Sequence, residues 1–178
     1  MINRFYCPSN GWTGVDDGVD NLLVDCGAGK YCPESSSSET NCPAGTYNPY
    51  TNGKSTDDCL PCQPGQYCSG TGNTSPSGSC AARYYCRYGA STNTPSYGLS
   101  EGSYDYGPCP QGYFCAVGTS DPAPCAVGYY GSSTYLTTGE CTSCTQGSYC
   151  SETALTAVSG PCNEGYYCPT GTKDPRFF

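Results

Sequence analysis

Two C-x-x-C pairs contain the residues of this chain best suited to chemistry: Cys59 with Cys62, and Cys141 with Cys144. Two thiols at this spacing can form a redox-active disulfide or supply part of the ligand set of a tetrahedral zinc ion. The remaining zinc ligands would have to be histidines or another pair, but the chain contains no histidine and its other cysteines belong to a repeat. We therefore interpret both pairs as structural and predict no metal site and no cofactor.

An acidic segment, DDGVDN at 16–21, is the second candidate for a ligand site. Its carboxylates and its amide could bind calcium through oxygen atoms. The segment lacks the full pattern of a calcium-binding loop, and residues 87–108 contain no equivalent acidic run. We interpret it as a solvated linker.

Several function classes are disfavoured by composition. Without histidine, the usual serine and cysteine triads lose their general base, so we predict that the chain is not an enzyme. The net charge is −8 with only seven Lys and Arg, which leaves no basic patch for nucleic acid and no polybasic segment for a membrane surface. No apolar run is long enough to span a bilayer, so we also predict no direct membrane insertion.

The composition is typical of a disulfide scaffold. The 178 residues include 17 cysteines, whereas Leu, Ile and Val together number only thirteen, too few for a conventional core. Disulfides persist in oxidising surroundings, so we expect the protein to be extracellular or at the cell surface.

The cysteines repeat in register along the chain. Those at 26, 32, 42, 59, 62, 68, 80 and 86 recur at 109, 115, 125, 141, 144, 150, 162 and 168, an offset of 83 or 82 residues. This offset predicts one repeat unit at 26–108 and a second at 109–178, the second possibly truncated, preceded at 1–25 by the end of an earlier repeat and a linker.

A shorter theme, C-x-x-G-x-[YF]-C, recurs within each unit. It reads CGAGKYC at 26–32, CQPGQYC at 62–68, CPQGYFC at 109–115, CTQGSYC at 144–150 and CNEGYYC at 162–168. CAARYYC at 80–86 has Arg83 in place of the glycine, and CPAGTYN at 42–48 and CAVGYYG at 125–131 end in Asn48 and Gly131 instead of cysteine. The two shortened copies lead into the C-x-x-C pairs.

Cys7 aligns with the closing cysteine of this theme, since RFYC at 4–7 matches RYYC at 83–86. Its motif partner should lie six residues upstream, where Met1 stands, and no export signal is visible nearby. We expect the sequence to be a window from a longer array, with Cys7 unpaired or bonded to another segment. The alternative is a genuine N-terminus with one free thiol.

The theme also predicts the local structure. Frequent Gly, Pro, Asn and Ser exclude long helices and favour short β-hairpins and coil in an elongated tandem array, with at most one helical turn at 151–160. The motif glycine should adopt a positive φ in a tight turn. We expect the aromatic residues that precede cysteines to lie over neighbouring disulfides as a thin substitute core: Tyr31, Tyr67, Tyr85, Phe114, Tyr149 and Tyr167.

Eight cysteines allow 105 pairings, so spacing alone leaves the connectivity open. However, CPAGTYNPYTNGKSTDDCLPC at 42–62 and CAVGYYGSSTYLTTGECTSC at 125–144 resemble the cysteine-rich modules of tumour necrosis factor receptors and, more closely, the ephrin-receptor-like repeats of extracellular protist proteins. The resemblance implies Cys42–Cys59, Cys62–Cys80, Cys68–Cys86 and Cys26–Cys32 in the first unit. In the second it implies Cys125–Cys141, Cys144–Cys162, Cys150–Cys168 and Cys109–Cys115.

Other residues suggest surface contacts. Asn73 begins the only N-glycosylation sequon, NTS at 73–75, so we predict covalently attached glycans. Tyr97, Tyr104, Tyr106 and Tyr135 lie outside the motif and are candidates for contacts between subunits.

Two functions fit these features. The first is a structural extracellular protein whose tandem repeats associate with further copies of the chain into a filament, appendage or surface layer. The second is a segment of a ligand-binding receptor ectodomain, which should concentrate exposed aromatic residues in one unit.

Overall fold

The computed structural model describes residues 5–6, 24–96, 99–100, 103–104 and 106–176. It is a succession of two-stranded antiparallel hairpins joined by turns and coil, as the sequence predicts. The strands are β1 (Phe5–Tyr6), β2 (Val24–Asp25), β3 (Lys30–Tyr31), β4 (Thr40–Asn41), β5 (Thr46–Tyr47), β6 (Leu60–Pro61), β7 (Gln66–Tyr67), β8 (Gly78–Ser79), β9 (Tyr84–Cys86), β10 (Leu99–Ser100), β11 (Ser103–Tyr104), β12 (Tyr106–Pro108), β13 (Tyr113–Phe114), β14 (Ala123–Pro124), β15 (Tyr129–Tyr130), β16 (Thr142–Ser143), β17 (Ser148–Tyr149) and β18 (Gly160–Pro161). Consecutive strands pair, except that β9 pairs with β12 and the β10–β11 hairpin lies between them.

Each copy of the motif except the last starts one hairpin, which ends just before the next copy begins. We call these segments modules 1 to 8: 26–41, 42–61, 62–79, 80–108, 109–124, 125–143, 144–161 and 162–176. Four modules therefore make one of the longer sequence units. Module 8 forms the turn of the motif but contains no strand among the described residues.

The C-x-x-G turn explains why a hairpin forms at each motif. In module 2, Thr46 N–H donates to the Pro43 carbonyl at 3.1 Å, and Gly45 lies between them at a φ of 84°. A positive φ at the third position of such a turn is the geometry that favours glycine. The same bond recurs in modules 3 to 8. The predicted role of the glycine is confirmed.

Six disulfides close a motif on itself and two are longer. The short bridges are Cys26–Cys32, Cys62–Cys68, Cys80–Cys86, Cys109–Cys115, Cys144–Cys150 and Cys162–Cys168. The long bridges, in modules 2 and 6, are Cys42–Cys59 and Cys125–Cys141. The structure thus contains four of the bridges that the receptor resemblance implies: Cys42–Cys59, Cys26–Cys32, Cys125–Cys141 and Cys109–Cys115.

The other four implied bridges are wrong: Cys62–Cys80, Cys68–Cys86, Cys144–Cys162 and Cys150–Cys168. The reason lies in the turn, which brings the two cysteines of one motif together, with Cα atoms 5.7 Å apart for Cys62 and Cys68. That separation suits a disulfide. Cys80 opens the next hairpin and bonds with Cys86 at a Cα separation of 6.1 Å, so no pair crosses between these modules.

Successive modules are joined by backbone hydrogen bonds of constant pattern. The N–H of the motif glycine donates to the carbonyl of the closing residue of the next module. The N–H of the first module's closing residue donates to the loop that follows the closing residue of the next module. An N–H of that loop donates back to the carbonyl of the first module's opening cysteine. Between modules 2 and 3 these bonds are Gly45 N–H to Cys68 O at 2.9 Å, Asn48 N–H to Asn73 O at 2.9 Å, and Gly72 N–H to Cys42 O at 2.8 Å. The pattern holds from module 1 to module 8, with Arg83 in the glycine position of module 4.

The boundary between the two sequence units, after residue 108, has the same three bonds. They are Arg83 N–H to Cys115 O, Cys86 N–H to Thr119 O and Gly118 N–H to Cys80 O, each at 2.9 Å. The duplication visible in the cysteines is therefore not marked by a break in the backbone ladder.

Cysteines make up most of the buried interior, and aromatic rings extend it between modules. Tyr67 packs against the Cys80–Cys86 bridge of the next module, and Tyr85, only 7 % exposed, packs with Cys109 and Cys115. The predicted stacking is confirmed for these two rings. Tyr47 packs in the same way on module 3.

Two expectations about local structure are wrong. Tyr167 does not lie in a core, because its residue is 63 % exposed. The segment 151–160 forms no helical turn; Ala154 N–H donates instead to Cys125 O at 2.9 Å, across the module junction. Among the described residues the one helical turn is a 3-10 turn at Thr56–Asp58, which is N-capped by Ser55.

Candidate functional surface

The motif glycine touches not only the next module but also the one after it. A Cβ on the glycine would lie 2.3 Å from Gly72 O for Gly29, 2.3 Å from Gly89 O for Gly45, and 2.2 Å from Ala154 O for Gly112. No side chain fits at such distances. Glycine is therefore required twice over, by the positive φ and by the approach of a backbone carbonyl two modules along the chain.

Arg83 is the exception to this rule, and its side chain contacts module 6 directly. It keeps a positive φ of 75°. Its guanidinium donates from Nη1 to the Tyr135 carbonyl of module 6 at 2.7 Å and pairs through Nη2 with Glu140. The ring of Tyr135 meets that of Tyr84 edge-to-face, with centroids 5.4 Å apart. A side chain thus replaces the glycine contact between modules 4 and 6.

Two carboxylates have shifted pKa values. The Thr137 N–H, and then the Arg83 guanidinium, hold the pKa of Glu140 below its usual value of 4.5. The hydrogen bond from Lys30 lowers the pKa of Glu39 most; burial opposes it, and the Gly27 N–H adds to the lowering. Both groups serve as anions that fix loops.

A recurring surface position carries exposed apolar side chains in only part of the array. This position is the second residue after the closing position of a module. It holds Tyr50 in module 2, Tyr88 in module 4 and Val117 in module 5, all exposed. The residues at the offset of 83 or 82 from the two tyrosines are Ser133 and Thr170, so the exposed rings at this position lie in the first unit.

A shallow depression of about 240 Å³ lies beside Tyr50. Its lining includes Asn48, Asn52, Asp57 and Leu60. Sequence reasoning did not single out this group, because its members come from both sides of a loop that only the Cys42–Cys59 bridge and the 3-10 turn bring together.

Asn73, the predicted glycosylation site, lies at a module junction. Its Nδ2 donates to Thr46 O at 3.3 Å and to Gly70 O at 3.2 Å, and its side chain is half-buried. The nitrogen that would carry a glycan therefore already bonds two carbonyls. Glycosylation at Asn73 stays a prediction.

The remaining predicted positions fall into three groups. Cys7, the acidic segment at 16–21 and Tyr97 lie outside the described residues, and Tyr104 is described only as part of β11. Tyr106 packs against the cluster of Cys80, Cys86 and Ala90 and stays partly exposed, so its role in subunit contacts remains a prediction. Tyr135 is partly exposed but contacts Tyr84.

Within the part of the chain that the structure describes, no cluster of three potential metal ligands occurs. In the same residues, no helix has the length and apolar character of a membrane span. No protein-family model matches this sequence, and no curated protein does either.

Proposed function

We propose that this chain is part of a structural extracellular protein whose disulfide-bonded repeats associate with further copies into a filament, appendage or surface layer. The junction between modules supports this proposal. Its three backbone hydrogen bonds recur from module 1 to module 8, although Arg83 takes the place of the glycine in module 4. Aromatic rings add to it at Tyr47, Tyr67 and Tyr85. Because any module offers the next one the same partners, such an array can be extended without a new kind of contact.

The observation that carries the proposal is the set of backbone bonds between modules. Three hydrogen bonds join each module to the next, and the same three cross the boundary between the two sequence units at Arg83, Cys86 and Gly118. A module of a further copy could therefore be held by the same kinds of donor and acceptor that hold the modules within this chain.

Composition supports the same function. Eight disulfides suit an oxidising compartment outside the cytosol. Charged residues make up 12 % of the chain, about half of the usual share, so neutral Gly, Ser, Thr and Tyr dominate the surface. Copies of such a chain can pack with little loss of charge hydration. The proposal includes no catalytic activity and no cofactor.

Negative-stain electron microscopy of the unreduced protein tests this function. We expect fibres with a regular axial repeat, and we expect reduction of the disulfides to abolish them, because the bridges hold each module together. Isolated short rods at all concentrations would contradict the proposal and favour a monomeric ectodomain.

One observation favours the second function, a segment of a ligand-binding ectodomain. At the recurring surface position, exposed rings occur only in the first unit, at Tyr50 and Tyr88, with Ser133 and Thr170 as their counterparts. The second unit has exposed tyrosines at other positions: Tyr129, Tyr135 and Tyr167. A purely structural polymer has no evident need for this asymmetry. A binding segment does, because its ligand meets only part of the array.

A further inference from the structure

The depression beside Tyr50 combines an exposed aromatic ring with polar groups that are held in place. Tyr50 is 71 % exposed, more than any other large hydrophobic residue described. The depression next to it, about 240 Å³, is also lined by Asn52, Asp57 and Leu60. Its volume is comparable to that of one sugar ring with its first waters.

Asn48 holds the backbone segment that carries the Tyr50 ring. Asn48 is 1 % exposed. Its Oδ1 accepts the Tyr50 N–H at 3.0 Å, and its Nδ2 donates to the Lys30 carbonyl at 3.2 Å. An asparagine that bonds the backbone two residues ahead defines a turn. The backbone that carries the Tyr50 ring is therefore held before any ligand arrives, which lowers the entropy cost of binding.

The opposite wall is the 3-10 turn, in which two neighbouring aspartates have different roles. Asp58 accepts the N–H groups of Lys54 and Ser55 as part of the cap. No described residue bonds or pairs with the Asp57 carboxylate, although it lines the depression. This acceptor is available to a ligand at no cost to the fold.

We propose that this depression binds a neutral pyranose ring of an extended glycan. The C–H face of a pyranose packs on an aromatic ring, and a carboxylate accepts hydrogen bonds from two adjacent hydroxyls of the same sugar. Amide and hydroxyl groups on Asn52 and Thr51, which also line the depression, suit the remaining hydroxyls. The Asp57 charge and the net charge of −8 oppose uronates, sialic acids and sulfated sugars.

The site belongs to module 2 and has no counterpart in module 6. There Ser133 stands in the place of Tyr50, Gly139 in the place of Asp57, and Leu136 in the place of Gly53. Tyr88 occupies the recurring surface position of module 4 and is also exposed.

Titrating the unreduced chain with neutral tetrasaccharides tests the site, with tyrosine ring resonances as the readout. The probes are the β-1,4-linked tetramers of glucose, N-acetylglucosamine and mannose, and the tetramer of galacturonate serves as the anionic comparison. We expect saturable binding of at least one neutral probe, with a Kd on the order of 1 mM because the contact area is small. Galacturonate should bind at least tenfold more weakly.

Variants distinguish sugar binding at the depression from nonspecific binding to any exposed aromatic ring. Tyr50→Ala should weaken binding at least tenfold and Asp57→Asn severalfold, while Tyr129→Ala should leave the Kd within twofold. Tyr50 and Asp57 are exposed, so the far-ultraviolet spectrum should stay unchanged and the intact mass should differ only by the substituted side chain. The inference is overturned if no neutral probe saturates, if galacturonate binds equally well, or if Tyr129→Ala weakens binding as much as Tyr50→Ala. None of these results depends on fibre formation.

Discussion

Modules 2 and 6 replace the closing cysteine of the motif in opposite ways. Both divert the opening cysteine to a longer bridge, Cys42–Cys59 or Cys125–Cys141. Module 2 fills the closing position with buried Asn48, whose amide bonds the backbone on both sides. Module 6 has Gly131, where a Cβ would lie 2.7 Å from Leu136 Cδ1. The space at the closing position is filled by the polar side chain of Asn48 in module 2 and by the apolar side chain of Leu136 in module 6.

The backbone at this position is nevertheless the same in both modules. Asn48 N–H donates to Asn73 O at 2.9 Å, and Gly131 N–H donates to Leu155 O at 2.8 Å. The module is therefore defined by its backbone bonds, and the closing disulfide is one of several ways to fill the space beside them. Loops that differ in this way can acquire separate roles. The loop of module 2 lines the Tyr50 depression, and the loop of module 6 holds the residues that Arg83 of module 4 contacts.

The largest expected effect comes from the turn glycine, which the two modules share. Gly45→Ala should lower the free energy of unfolding by about 4 kcal/mol, because a left-handed backbone and a carbonyl at the Cβ position both oppose the methyl group. Gly128→Ala in module 6 should cost a similar amount, since its Cβ would lie 2.5 Å from Gly171 O. Urea unfolding followed by tyrosine fluorescence measures both changes.

Gly165→Ala is the matched control, because Gly165 has the same positive φ but open space around it. It should cost about 1–2 kcal/mol, the backbone part alone. Equal losses for Gly45→Ala and Gly165→Ala would show that the contact across two modules contributes nothing.

The second effect separates the long bridges from the short ones. Removing Cys42–Cys59 as the double alanine variant should cost about 3.2 kcal/mol, and removing Cys62–Cys68 about 2.4 kcal/mol, because the longer closed loop restricts the unfolded chain more. The Cys125–Cys141 variant should match the first. The same unfolding measurement serves here, and a short bridge that costs clearly more than a long one would refute the order.

The third effect tests the exchange of Asn48 and Gly131. Asn48→Gly should cost about 1–3 kcal/mol, because the Lys30 carbonyl and the Tyr50 N–H lose their partner. Gly131→Asn should also cost about 1–3 kcal/mol, but through overpacking against Leu136. Combining Gly131→Asn with Leu136→Ala should recover part of the loss. If it recovers none, the crowding explanation is wrong.

The smallest effect concerns the carboxylates that fix the two loops, Asp58 in module 2 and Glu140 in module 6. The lowered pKa of Glu140 means that its contribution to stability is present above about pH 4.5 and is lost as the pH falls through the lowered value. A carboxyl titration by NMR should give a pKa below 4.5. Arg83→Gln should raise it only partly, since the Thr137 N–H remains.

Arg87→Gln is the control for that titration, because Arg87 Nε donates to Asp121 at 3.0 Å rather than to Glu140. It should leave the Glu140 pKa unchanged. An unchanged pKa in Arg83→Gln would remove the guanidinium from the explanation.

Sequence reasoning succeeded where one short motif specifies one local structure. The C-x-x-G turn, the positive φ of its glycine and the stacking of Tyr67 and Tyr85 all follow from seven consecutive residues. It failed for the four crossed bridges, which came from a resemblance to other modules and not from the hairpin itself. The packing of Tyr106 on the Cys80–Cys86 cluster was also not predicted, because only the β9–β12 pairing places it there.

The candidate sugar site lay beyond sequence reasoning for a similar reason. Tyr50 and Asp57 are seven residues apart in a loop without regular periodicity. Nothing in their spacing predicts that they line one depression, which depends on the bridge and on the cap at Ser55. The neighbouring Asp58 has the same residue type but is used by the fold.

The sequence by itself determined that disulfides replace a hydrophobic core, that the chain is a tandem array and that hairpins start at each motif. These features depend on composition and on contacts within a few residues. Only the tertiary structure decided which cysteines pair, why glycine must contact a carbonyl two modules away, and which tyrosines remain exposed. Those outcomes depend on how modules stack, and stacking is set by backbone bonds that every residue type except proline can donate.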